Sequence, residues 1–85
     1  MDKYEETKRI LNDMASVKMA MNSHKGNIED IDEVRLVTML KAEVTELEEA
    51  IQSGDLMQIL QEAADVQNFL LGVVHQQVDN YRRRK

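Results

Sequence analysis

Apolar residues recur at helical spacing in three stretches of the chain. In the first, predicted over about residues 2–22, Ile10, Met14, Val17 and Met21 fall at i, i+4, i+7 and i+11, on a single face. The segment Asn22-Ser23-His24-Lys25-Gly26-Asn27 then carries the punctuation of a loop. A second helix is predicted from Asp30 or Asp32, either of which can cap it, to about Ser53. Gly54 supplies a left-handed stop and Asp55 a cap for a third helix, which meets no strong breaker for some 25 residues. So short a turn between two long helices predicts an antiparallel hairpin. No internal repeat or linker interrupts the pattern, so residues 1–85 read as one domain.

Composition supports helices and limits the core. There is no cysteine and no proline, and aromatics are 4% of the chain, which excludes a disulfide framework, a zinc knuckle, a thiol nucleophile and a β-sandwich. A chain of 85 residues buries only about 60–65% of its unfolded surface. Further burial is therefore expected from self-association, and the fold class is an all-α, three-helix chain forming an oligomeric helical bundle. Helix three points the same way. Its apolar arc continues through Leu60, Ala64, Leu71, Val74 and Val78, which predicts at least a dimer with this helix central.

Charge removes other classes. The chain has 11 basic and 16 acidic residues; without the tail Arg82-Arg83-Arg84-Lys85 the balance is seven against sixteen. Such an acidic body repels nucleic-acid backbones, so a duplex partner is not expected. No apolar run spans a bilayer and MDKYEETKRI holds no signal-peptide core, so neither membrane insertion nor export is expected and the location reads as cytoplasmic. There is no GxxxxGK[ST] loop, which excludes a P-loop NTPase. The Glu-x-x-His pairs of di-iron bundles are also missing.

Four acids stand where acids are costly. With Leu36 at zero, Met39, Leu40, Val44, Leu47, Ala50 and Ile51 fill an arc from about −60° to +80°; Glu43 falls inside it at about −20° and Glu46 on its margin at about −80°. Around Val66 on helix three, Glu62 lies inside the apolar arc at about −40° and Asp65 on the same margin at about −100°. Each helix thus offers two acids at i, i+3, and an antiparallel hairpin lets the pairs converge. Four converging carboxylates repel one another unless a cation lies between them. An all-oxygen donor set selects a hard ion, Mg²⁺ or Mn²⁺.

The two pairs also form a recognisable motif. Glu43-Val44-Thr45-Glu46-Leu47-Glu48-Glu49-Ala50-Ile51, followed by Glu62-Ala63-Ala64-Asp65-Val66, reads ExxE…ExxD. Over about residues 34–75 the chain resembles the MazG-like superfamily of all-α nucleoside triphosphate pyrophosphohydrolases. Dimeric dUTPases, dCTP pyrophosphatases and phosphoribosyl-ATP pyrophosphatase belong to this superfamily. The resemblance implies that Glu43, Glu46, Glu62 and Asp65 hold Mg²⁺, with Glu43 or Glu46 as the base. It also implies cleavage of an NTP or dNTP between the α and β phosphates, giving monophosphate and pyrophosphate, and assembly as a homodimer or homotetramer. Lys25, Asn80 and Arg82 occupy stretches that reach the substrate in some relatives.

Several positions depart from the family pattern. Ala42 stands where many members have a further Glu, and Met39 where a Lys is frequent. The base-clamping aromatics of some members are absent, and Gln67-Asn68-Phe69 replaces the Tyr-His expected of phosphoribosyl-ATP pyrophosphatase. These departures keep an alternative open: a non-catalytic helical interaction module with a degenerate or absent metal site. For His24 and Lys25 together, the plainer alternative is a pair of solvated loop residues, and His75, about 180° from Val66, reads as a surface or interface residue. The six Met residues read as core filling.

Overall fold

The computed structural model describes residues 2–84, apart from the side chain of residue 29; Lys85 of the basic tail lies outside the described residues. Three helices, α1 (Glu5–Met21), α2 (Glu33–Ser53) and α3 (Leu56–Arg83), are joined without any strand among the described residues. None of them is long and apolar enough to cross a membrane. The predicted loop between α1 and α2 is more ordered than its composition suggested, since it winds into 3-10 turns at Ser23–Lys25 and Ile28–Asp30.

The helix ends follow from local chemistry. Asp32, rather than Asp30, caps α2: its carboxylate accepts a hydrogen bond from the Arg35 amide at 3.3 Å. Gly54 takes φ 76°, the left-handed conformation, and its amide donates to the carbonyls of Ala50 and Ile51. Asp55 then accepts from the amides of Met57 and Gln58 at 3.0 and 3.3 Å and starts α3. Only Gly54 and Asp55 separate the two helices, so α2 and α3 fold back as the predicted hairpin.

The packing of α3 differs from the sequence expectation. The predicted centre, Val66, is only half-buried, whereas Ala64, Asn68 and Gly72 are buried. These three recur every four residues and form the seam on which both other helices converge. Because α3 must meet two helices, its closest approach falls where side chains are small, on the far side of the helix from Val66. Leu36 of α2 is the largest fully buried side chain, with Ala15, Ala50 and Ala64 completing the buried apolar set.

One close approach fixes the inter-helix loop. A Cβ at position 72 would overlap the Ile28 side chain, so glycine there lets the second 3-10 turn lie directly on α3. Gln76 donates to the Ile31 carbonyl, pinning the same loop to α3, and Gln77 donates to the Glu33 carboxylate at 2.7 Å, tying the start of α2 to the same helix.

Candidate functional site

The hairpin register brings the four acids together. Glu43 and Asp65 each lie eleven residues from Gly54, and Glu46 and Glu62 each lie eight. Antiparallel helices folded at Gly54 therefore set Glu43 against Asp65 and Glu46 against Glu62. Glu43, Glu62 and Asp65 are half-buried, and each offers a carboxylate oxygen within 4.8 Å of the others'. Glu46 is more exposed and stands outside that three-oxygen group.

Electrostatics record the strain of this convergence. Burial pushes the Glu43 carboxyl from its ordinary value of 4.5 up to about 7, and hydrogen bonding with Glu46 and the charges of Glu46, Asp65 and Glu62 add to it. Burial likewise raises Glu62, helped by the charges of Glu46 and Asp65 and opposed by Lys18. One oxygen of Glu43 and one of Glu62 are buried with no hydrogen-bond partner. An acceptor sealed from water without a donor costs free energy. These orphaned oxygens fit a hard cation, which supplies the missing positive charge and prefers an all-oxygen donor set.

Glu43 and Asp65 line a cavity of about 480 Å³. Donors line the same cavity: Lys18 and Asn22 from the end of α1, and Lys25 from the first 3-10 turn. Lys18 pairs with Asp65 at 3.3 Å, with both side chains mostly buried. Asn68 reaches the same cavity and donates to the Ala15 carbonyl at 2.9 Å, tying α3 to α1.

Lys25 lines the cavity that Glu43 and Asp65 also line. Asn80 lines a different cavity, with Asp30, Glu33 and His75. By helix rise, Asn80 and Arg82 stand about 22 and 25 Å along α3 from Asp65, out of reach within one chain. Lys18, Asn22 and Asn68 were missed by the sequence reading. A stripe of Ala64, Asn68 and Gly72, small or polar at every fourth position, was the one signal that could have marked Asn68.

An antiparallel α-helical hairpin presenting ExxE against ExxD defines an all-α MazG-like protein with a polyacidic centre. Comparison with known families is consistent with this and more specific: residues 8–81 match the family described as phosphoribosyl-ATP pyrophosphohydrolase. The chain belongs to that family, whose members are hydrolases acting on phosphoric anhydrides. The match extends beyond the motif core of residues 34–75, and it falls on the branch whose Tyr-His pair Gln67-Asn68-Phe69 replaces. Neither a curated protein nor a solved structure matches the chain.

Proposed function

We propose that the chain is a Mg²⁺-dependent pyrophosphohydrolase of a nucleoside triphosphate, NTP or dNTP, cleaving between the α and β phosphates to monophosphate and pyrophosphate. One observation carries this reading: a cluster of three carboxylates with two orphaned oxygens adjoins a cavity that Glu43 and Asp65 line together with Lys18 and Lys25. Carboxylates suit a cation, and ammonium and amide donors suit phosphate oxygens. A metal-bound triphosphate presents both. The same triphosphate is found in phosphoribosyl-ATP, so the family match and an NTP substrate call for the same chemistry at the cleaved bond.

In this reading Glu43, Glu62 and Asp65 hold the ion. When bound, Mg²⁺ would neutralise phosphate oxygens and lower the pKa of a water. Glu46 stands beside these acids, outside the three-oxygen group and open to solvent. A carboxylate committed to a cation is a poor proton acceptor, so Glu46 takes the proton from the attacking water. Lys25 and Asn22 orient the phosphates, and Met39, Ile31 and Phe69 form an apolar flank that limits water in the cavity.

The test is a product assay with Mg²⁺ on a panel of NTPs, dNTPs and phosphoribosyl-ATP. Monophosphate and pyrophosphate are expected from the nucleotides, and pyrophosphate from phosphoribosyl-ATP if that branch is correct. Orthophosphate and diphosphate would place attack at the γ phosphate and overturn the mechanism. No product from any of them would favour the interaction module.

A further inference from the structure

The Lys18–Asp65 pair places an ammonium where the proposed function needs a divalent cation. We propose that Lys18 is a mobile resident counter-ion, neutralising Asp65 while no divalent cation is held and passing to the substrate's phosphates once one is. The proposal rests on reading Glu43, Glu62 and Asp65 as the cation site.

Three observations carry it. Lys18 Nζ lies 3.3 Å from Asp65 Oδ2, and the two side chains are 24% and 19% exposed, so the contact is partly shielded from solvent. An ammonium and a divalent ion cannot share one carboxylate at close range without strong repulsion. The second observation is that α1 is held to α3 by other bonds. Asn68 donates to the Ala15 carbonyl at 2.9 Å, and Gln67 to the Asn12 side chain at 2.8 Å, so Lys18 can leave Asp65 without undocking its helix. Thirdly, Lys18 lines the cavity that also holds Lys25 and Asn22. Its four-carbon stem gives the displaced ammonium a short swing toward a phosphate on that side. Lys18 is thus a positioning residue that links cation entry to phosphate capture.

The consequence is a pair of effects with opposite signs. Lys18→Met keeps the stem and removes the charge. Without a competing ammonium, calorimetric titration with Mn²⁺ alone should show about fivefold tighter binding than wild type. With Mn²⁺ saturating, inorganic tripolyphosphate should bind at least about tenfold more weakly, because one charged phosphate contact is gone. Lys18→Gln, which can still hydrogen-bond Asp65, should shift both affinities the same way and guards against misfolding of the Met variant. A merely structural lysine would weaken both affinities together or leave both unchanged, and either result overturns the proposal. If wild type binds Mn²⁺ and the variants bind it no tighter, the Lys18 exchange alone fails. If wild type binds no Mn²⁺, the cation-site reading fails and the exchange with it.

Discussion

A glutamate with its pKa near 7 has a clear effect on folding. Glu43 is raised from 4.5 to about 7 in the folded chain, so folding favours its protonated form. In the metal-free protein, this group's contribution to stability should be fully present below about pH 4.5, fall as pH rises toward 7, and be lost above. The slope from this group is at most about 1.4 kcal/mol per pH unit. Melting curves in a chelator between pH 4.5 and 7.5 measure it, and a Tm that climbs with pH over that range would contradict the raised value. With Mg²⁺ in excess the trend should reverse, because the ion needs the deprotonated acids. Two substitutions separate the roles at the site. Glu62→Gln should remove most of the Mg²⁺-induced rise in Tm while leaving the metal-free protein as stable or more so. Glu46→Gln should lower kcat about a hundredfold or more with little change in Mg²⁺ affinity. Equal loss of metal binding in both variants would place Glu46 among the ligands instead. At this scale, the acids on α2 and α3 were legible because a charge inside an apolar arc is visible from periodicity alone. Lys18 was not, since a lysine on α1 gains meaning only when packing brings it to Asp65.

Elements were easier to read where one residue decides the outcome locally. Asp32, Gly54 and Asp55 act through hydrogen bonds and backbone conformation within a few residues, so the ends of α2 and the start of α3 could be placed from sequence. The seam of α3 could not, because it depends on where two other helices arrive. Ala64, Asn68 and Gly72 carry little hydrophobicity and are nevertheless the residues on which α1 and α2 meet. The loop between α1 and α2 was hidden for the same reason: Ile28 is fixed by a missing side chain on α3. Gly72→Ala tests that contact. Alanine is intrinsically better in a helix by about 1 kcal/mol, but the overlap with Ile28 should outweigh it through overpacking that costs about 1–3 kcal/mol. A modest net loss of stability is expected in denaturant titration. It should come with weaker phosphate binding, because the displaced loop carries Lys25. A more stable variant with unchanged binding would show that the loop is not braced by this approach.

The whole molecule is less compact than its length allows. The radius of gyration is 14.2 Å, against about 12 Å for a compact domain of this size. Only one large apolar side chain among the described residues, Leu36, is fully buried, while Leu70, Leu71, Val74 and Val78 of α3 are each 40–58% exposed. Val44 and Ile51 of α2 are exposed as well. A stripe of that extent is usually covered by another chain, and we expect the protein to work as a homodimer or homotetramer. Leu71→Glu should shift sedimentation toward the monomer and lower Tm together. A compact, stable wild-type monomer at micromolar concentration would refute this. The thin core also makes catalysis depend on protein concentration. If a lone chain buries too little to hold α3 in place, the acid-bearing hairpin is ordered only within the assembly. Turnover per chain should then fall on dilution below the dissociation constant, and the initial rate should rise more steeply than linearly with enzyme concentration, as its square for a dimer, before becoming linear.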